Sequence, residues 1–193
     1  MIAGVQVSDT LSVVHGPPLA QEEGIGALTI PGYLREVCDR FAASEAVAFR
    51  GAAGAVHWTY AELWSRALAV ARALIASGTG RDSRVGVLMT NRPEFLAGVF
   101  GASLAGAVFV PLNTFSTPAE LEYLLQSSGV STLLIEREIA GKDFAAMLAG
   151  IEPAIAQAHP GRLLCARLPQ LRRLIVLDDA GGAVGGCLQS WDD

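Results

Sequence analysis

The sequence predicts an α/β protein with a doubly wound, largely parallel sheet and flanking helices. Three short apolar runs begin near residues 85, 107 and 130, so they recur about every 23 residues, the length of a minimal strand–helix step. Each run ends in polar or turn-forming residues. Segments with the apolar spacing of helices lie between the runs. A short β-hairpin is expected ahead of this sheet.

The stretch 85–113 contains one complete strand–helix–strand unit. Its first strand is followed by Asn91, which we expect to cap the next helix while Glu94 reaches back to form a capping box. Pro93 suits the first helical turn, where its missing N–H is not needed. The predicted ranges are 85–88 for the first strand and 107–110 for the second strand. Between them, the apolar segment of the helix runs from 95 to 105.

The elements before this unit are a helix, a hairpin and a second helix. The hairpin has a glycine-bearing turn. Thr59 and Glu62 have the spacing of a capping box and predict the start of the second helix, which ends at Gly78. The predicted ranges are 31–43 for the first helix and 46–49 and 55–58 for the hairpin strands.

The elements after the unit continue the alternation of helix and strand. Thr117 and Glu120 repeat the capping-box spacing and predict a helix through Leu125 that ends near Gly129. A further helix is expected to break at Pro153. The remaining predicted ranges are 130–135 for a strand, 143–158 for the broken helix and 174–177 for the last strand.

The chain divides into three predicted parts. Residues 1–29 show little periodicity and are expected to form a flexible N-terminal arm. Residues 30–178 carry the strand–helix alternation and form the domain. Residues 179–193 contain the paired glycines at 181–182 and 185–186 and are expected to be a Gly-rich tail that acts as a connector.

Composition favours a packed domain of 193 residues with a formal net charge of −5 and 51% hydrophobic residues. Lys142 is the only lysine and the arginines are scattered, which disfavours nucleic-acid binding. Three widely spaced cysteines, Cys38, Cys165 and Cys187, do not form a disulfide framework, so a reducing, cytoplasmic compartment is expected. The N-terminus lacks the pattern of a signal peptide.

One uncharged run, 95–112, approaches the length of a membrane span. Gly106 and Pro111 divide this run, and its second half is rich in the β-branched and aromatic residues typical of strands. We therefore expect no membrane span. A single-span membrane protein remains the alternative, and it predicts partition into detergent.

The motifs that would carry chemistry are mostly absent. Gly141-Lys142 is followed by Asp143, which favours a helix start over a phosphate loop. Ser103 lies within a predicted helix and is expected to be a packing residue rather than a nucleophile. The glycines at 78 and 80 precede a strand, so they do not form a dinucleotide fingerprint. His15, His57 and His159 lack metal-ligand spacing. We predict no catalytic residue, no cofactor-binding residue and no metal ligand.

Polar residues follow two neighbouring strands, where ligands bind in such folds: Thr90-Asn91 and Asn113-Thr114. They are interpreted either as a ligand crevice or as helix caps and turn formers, and the second interpretation is favoured. The acidic pairs at 178–179 and 192–193 are interpreted as solvated loop charges.

Three segments resemble motifs of the AMP-forming acyl-CoA synthetases and related adenylate-forming ligases. Residues 58–63 (WTYAEL) resemble the family's early TYxEL motif, and residues 85–95 (VGVLMTNRPEF) are similar to its next block. Residues 104–113 (LAGAVFVPLN) are similar to its KAGAxxVPLN segment. Their order and spacing match, and the resemblance covers roughly residues 31–178.

The resemblance implies a partial AMP-binding N-terminal domain. Members of this family join a carboxylate to AMP from Mg-ATP and release pyrophosphate. They then pass the acyl group to a thiol, usually that of coenzyme A. The family's phosphate loop, its ribose-binding acidic residue and its C-terminal domain with the catalytic lysine have no counterpart in these 193 residues. Leu104 stands where relatives often carry a basic residue near the coenzyme.

The expected function is therefore that of an N-terminal fragment of an acyl-CoA synthetase, inactive alone and binding none of ATP, Mg or coenzyme A by itself. In the full-length family the small-molecule partners are the carboxylate, ATP and coenzyme A. An alternative is a non-catalytic binding or assembly module that docks with a partner or with itself. Self-association is expected through apolar surface left uncovered when a sheet is cut from a larger domain.

Overall fold

The structure of the chain is a computed structural model that describes residues 6–7, 14–15, 18, 21, 29–51, 54–159, 163–178 and 188–191. The strands in chain order are β1 (Gln6–Val7), β2 (Val14–His15), β3 (Glu45–Gly51), β4 (Gly54–Thr59), β5 (Arg84–Leu88), β6 (Val108–Pro111), β7 (Thr132–Glu136), β8 (Glu138–Ile139), β9 (Lys142–Asp143), β10 (Arg173–Leu177) and β11 (Leu188–Ser190). The helices are α1 (Ile30–Arg40), α2 (Tyr60–Ala76), α3 (Pro93–Leu104), α4 (Pro118–Ser128), α5 (Phe144–Ile151) and α6 (Ala154–Gln157).

A five-stranded sheet in the order β11–β10–β7–β5–β6 forms the centre of the fold. Every pairing in this sheet is parallel, so the predicted fold class is confirmed. Strands β5, β6 and β7 begin close to the predicted positions and recur at nearly constant spacing. Helices α3 and α4 make the connections between them, as a regular strand–helix alternation requires.

Both faces of the sheet are covered, which makes the fold doubly wound. Leu133 of β7 packs in a cluster with residues of α4 and α5, whereas the next residue, Leu134, packs in a cluster with residues of α2 and α3. Successive side chains of a strand point to opposite faces, so these two clusters lie on the two sides of one sheet. This explains why the consecutive inner residues of β5 and β7 are buried and not alternately polar.

The predicted hairpin is confirmed and lies outside the central sheet. Strands β3 and β4 pair antiparallel and share a third apolar cluster with α1 and α2. Trp58 at the end of β4 is 5% exposed and packs in the cluster that contains Leu63 of α2. The guanidinium carbon of Arg66 lies 4.4 Å from the centroid of the Trp58 ring, which covers the indole from outside.

Two of the three predicted capping boxes, those of α2 and α4, and the predicted helix break are confirmed. In both boxes the threonine hydroxyl accepts from the backbone N–H of the third helical residue and the glutamate side chain accepts from the threonine N–H. Gly129 ends α4 in the left-handed region at φ +64°, where glycine adds no steric cost. The helical segment after Asp143 is divided into α5 and α6 on either side of Pro153.

Three features were not predicted. Strands β1 and β2 form a two-residue antiparallel ladder within the segment expected to be an arm. Strands β8 and β9 form another short ladder just before α5. Strand β11 adds to the sheet beside β10, within the segment expected to be a tail. The rest of the predicted arm and the predicted glycine connector 181–186 lie outside the described residues.

The uncharged run 95–112 is divided between α3, a turn and β6. Within the described part of the chain, no helix combines the length and the hydropathy that a bilayer crossing requires.

Candidate functional site at the carboxyl edge of the sheet

The carboxyl ends of the parallel strands meet at one edge of the sheet, where open α/β folds bind ligands. Thr90 follows β5, Asn113 follows β6, Glu136 ends β7 and Asp178 follows β10. Two networks of ion pairs organise this edge, and each joins residues that lie far apart in the sequence.

Glu136 is the centre of the first network. One oxygen of its carboxylate accepts hydrogen bonds from the backbone N–H and the hydroxyl of Thr90, both at 2.8 Å, and the other accepts from Arg92 Nη1 at 3.0 Å. Arg92 also donates through Nε to Glu94 at 2.7 Å. The side chains of Arg92 and Glu136 are only 11% and 13% exposed. This network fastens the turn between β5 and α3 to the end of β7.

The network corrects two sequence predictions. Asn91 does not cap α3, because the N-cap position is occupied by Arg92, whose side chain makes no cap hydrogen bond. Glu94 therefore forms no capping box, and its carboxylate pairs with Arg92 instead. The side chain of Thr90 caps no helix, since its donors are directed to Glu136, whereas its backbone carbonyl accepts from the N–H of Arg92 at 2.9 Å within the turn.

Arg137 is the centre of the second network. Its Nη1 donates to Asp178 Oδ2 at 2.8 Å, and its Nε lies 3.7 Å from Asp143 Oδ2. The hydrogen bond to Asp178 is the main reason that the pKa of Arg137 is raised above its ordinary value. The Asp178 side chain is 12% exposed, so its interpretation as a solvated loop charge is wrong. The other acidic residues of the predicted pairs, 179 and 192–193, lie outside the described residues.

Asn113 shapes a turn, as the favoured interpretation predicted. Its Oδ1 accepts from the backbone N–H of Phe115 at 2.9 Å, and its backbone carbonyl accepts from the N–H of Ser116 at 3.2 Å. The amide side chain thus satisfies the backbone of the loop that leads to α4.

The charges at this edge do not match a triphosphate. Among the described residues, the two networks contain two arginines and four carboxylates, and each arginine contacts two of these carboxylates. A phosphate group approaching this edge would meet an excess of negative charge. In the described ranges, no group of three or more His, Cys, Asp or Glu side chains is placed to hold a metal ion.

The other sequence motifs have structural roles. Asp143 caps α5 by accepting from the N–H of Ala146 at 2.8 Å, so the predicted helix start is confirmed. Ser103 lies inside α3 and donates to the carbonyl of Val99 at 2.9 Å. His57 pairs with Glu45 across the β3–β4 hairpin at 2.6 Å.

Two grooves lie on the surface of the chain. One, of about 580 Å³, is lined by Thr29 and by apolar and tyrosine side chains of α1, α2, α3 and β3. The other, of about 350 Å³, lies between α4 and the loop that precedes β10. Both volumes fall in the range of small-molecule sites.

A doubly wound parallel sheet with a polar carboxyl edge defines a class of α/β proteins that bind ligands at that edge. The model of the AMP-binding enzyme family matches residues 34–179, and the chain belongs to this family.

Several of the curated relatives that the chain matches are acyl-CoA ligases or synthetases by name. The chain is 30% identical to the acyl-CoA ligase SID4 of Ajellomyces capsulatus over 175 residues, which cover 91% of this chain and 28% of that protein. It is 41% identical to the feruloyl-CoA synthase of Amycolatopsis sp over 97 residues, which cover 50% of this chain and 20% of that protein. The chain thus spans less than a third of the length of these relatives.

Solved structures show the same fold. The coronafacic acid ligase of Pectobacterium brasiliense matches with a TM-score of 0.67 at 18% identity, over 86% of this chain and 29% of that chain. The fatty acyl CoA synthetase of Mycobacterium tuberculosis matches with a TM-score of 0.59 at 28% identity, over 77% of this chain and 26% of that chain. The resemblance inferred from residues 58–63, 85–95 and 104–113 is confirmed by the family match.

Proposed function

We propose that these residues form the first part of the nucleotide-binding domain of an AMP-forming acyl-CoA ligase and do not activate a carboxylate by themselves. The proposed full-length reaction uses ATP and Mg to convert a carboxylate to an acyl adenylate with loss of pyrophosphate. The acyl group then passes to the thiol of coenzyme A. The family match and the names of the relatives support this reaction class.

The proposal that the chain does not activate a carboxylate by itself rests on the pairing of charges at the carboxyl edge. Phosphoryl and nucleotidyl transfer needs converging cations, amides or metal ligands around the phosphates. Arg92 and Arg137 are the arginines of the two edge networks, and both are neutralised by carboxylates at the distances given above. The carboxyl edge therefore does not fit Mg-ATP, and the proposed role of this segment is to support the strands beside which the phosphate-binding parts lie.

The test is ATP–pyrophosphate exchange with the purified chain and a panel of aliphatic and aromatic carboxylates. The proposal predicts no exchange above the rate with boiled protein, while circular dichroism shows a folded α/β chain. A full-length acyl-CoA ligase assayed in parallel establishes that the panel and conditions support exchange. Carboxylate-dependent exchange by the chain alone would refute its inactivity.

We also propose that the substrate carboxylate comes from fatty-acid metabolism and that the protein works in the cytoplasm. A fatty acyl CoA synthetase among the solved relatives supports the substrate class. The absence of a disulfide pattern among the three cysteines supports a reducing compartment.

Self-association is a further part of the proposal. Several large apolar side chains are exposed near the open edge formed by β6 and on α4, including Val108 at 52%, Phe115 at 83% and Tyr123 at 68%. Such residues are expected to promote contact between chains. Sedimentation should show a concentration-dependent mass that Phe115→Ser reduces. A monomer at all concentrations would contradict this part.

A further inference from the structure

The groove between α4 and the loop before β10 combines an apolar floor with a polar rim. Its floor contains Leu125, Val130, Leu168 and Leu171, which are all buried. The exposed side chain of Gln170 lies on the rim, and the groove has a volume of about 350 Å³. A concave apolar surface with a few polar groups at its border is the usual form of a small-molecule site.

The charged side chain within the groove is already neutralised. Arg167 donates to a carboxylate oxygen of Glu122 at 2.6 Å and to the carbonyl of Ile151 at 3.1 Å. Glu122 also accepts from Gln126 at 3.3 Å, so the polar side chains on this side of the groove bond to one another. The lining itself therefore contributes no net charge that would attract an ion.

Arg84, in contrast, brings an unmatched positive charge to the end of the groove. Its Nη1 atom and Gln170 Cγ lie 3.7 Å and 4.0 Å from the position that a Cβ would occupy on Gly129, the residue before Val130 of the floor. Among the described residues, no carboxylate lies within ion-pair distance of the Arg84 guanidinium, and it has no hydrogen-bond acceptor. It lies over the carboxyl end of α4.

A second guanidinium lies at the same end of the sheet. Arg172 is exposed and donates to the carbonyls of Pro169 and Leu171, two residues that line the groove. These carbonyls carry no net charge, so the positive charge of Arg172 is also left without a carboxylate among the described residues. Two guanidinium groups thus border an apolar groove in a chain of net charge −5.

We propose that this groove binds a small organic anion with an apolar body, such as an aryl or short acyl phosphate or carboxylate. The apolar body would lie on the leucine and valine floor, and the anionic head would be held by Arg84 with support from Arg172. This site lies at the amino end of the sheet, opposite the carboxyl edge that the proposed function concerns. The test of this site is therefore independent of the test of the proposed function.

The competing role of Arg84 is purely structural. The last carbonyls of a helix attract a cation, and α4 has no basic residue in its own last turn. A guanidinium placed there for that reason alone would stabilise the helix and bind nothing.

The test is a titration of the ¹⁵N-labelled chain with phenyl phosphate, followed through the side-chain amide signals of Gln126 and Gln170. The proposal predicts saturable shifts of both signals, with benzoate acting at the same place. Neutral benzyl alcohol and inorganic phosphate should each bind at least about tenfold more weakly, because each lacks one half of the ligand. Equal binding of benzyl alcohol, or no shift at either signal with phenyl phosphate, would overturn the proposal.

Two variants separate ligand binding from helix stabilisation. Arg84→Gln should weaken phenyl phosphate binding about tenfold, the loss expected for one charge-assisted contact. Arg35→Gln on α1 removes the same charge from a side chain that is 72% exposed and remote from the groove, and it should leave binding unchanged. Unchanged binding in Arg84→Gln, or an equal loss in Arg35→Gln, would contradict the site. The comparison of ligands on the natural chain decides the question even if Arg84→Gln does not fold.

Discussion

Replacing Gly101 by alanine tests the contact between α2 and α3 on which one whole face of the sheet depends. A Cβ added to Gly101 would lie 2.5 Å from Val70 Cγ1, 2.7 Å from Val70 Cβ and 3.2 Å from the carbonyl oxygen of Ala67. Two of these neighbours are fixed to the α2 backbone, and valine has a stiff χ1 in a helix, so the clash cannot be relieved by a rotamer change alone. The two helices would have to separate.

The expected magnitude is a balance of two opposed effects. Overpacking a tight core contact costs about 1–3 kcal/mol, whereas alanine in place of a mid-helix glycine gains about 0.5–1 kcal/mol. We therefore expect Gly101→Ala to lower the free energy of unfolding by up to about 2 kcal/mol. Urea unfolding followed by circular dichroism measures this change.

The matched control is Gly150→Ala in α5. No atom lies within 4 Å of the position that its Cβ would occupy, so only the propensity gain applies. We expect Gly150→Ala to raise the free energy of unfolding by about 0.5–1 kcal/mol. If Gly101→Ala proved as stabilising as Gly150→Ala, the close packing of α2 on α3 would be wrong.

Two further predictions concern carboxylates. Glu136→Gln should lower the free energy of unfolding by about 1–3 kcal/mol, because it removes the charge that accepts three hydrogen bonds. The control Glu138→Gln changes an exposed neighbour and should alter this free energy by less than about 0.5 kcal/mol. Equal effects of the two variants in urea unfolding would contradict the network. The pKa values of Glu62 and Glu120 are lowered from 4.5, chiefly by the backbone N–H that each accepts in its capping box. The unfolded chain therefore binds protons at higher pH than the folded chain does, and stability is lost as pH falls below about 4.5. A double Glu62→Gln, Glu120→Gln variant should lose less free energy of unfolding between about pH 5 and pH 3 than the natural chain does. An unchanged slope of the free energy of unfolding against pH would contradict this prediction.

Local patterns predicted most of the fold. A capping box needs two residues three apart, and a strand–helix step needs an apolar run followed by helical spacing, so both are visible within one window of sequence. Where two neighbouring residues compete for a role, the pattern is ambiguous. Asn91 and Arg92 both precede Pro93, and the helix begins after Arg92 because Glu94 and Glu136 hold that arginine in place.

The carboxyl edge was not predictable in the same way. Thr90 and Glu136 are 46 residues apart, and Arg137 and Asp178 are 41 residues apart. Only the order of strands in the sheet brings them together, and sequence spacing does not determine that order. The predicted ends of β5, β6, β7 and β10 lie within about one residue of the observed ends. Which charges meet there, however, depends on β7 lying between β5 and β10.

The most direct test of the central claim is calorimetric titration of the purified chain with Mg-ATP. The claim is that the described sheet and helices support an adenylating site while the residues that hold the triphosphate are not among them. We predict no saturable heat of binding up to millimolar nucleotide in a sample whose circular dichroism shows a folded α/β chain. Saturable binding with a micromolar Kd would contradict the claim.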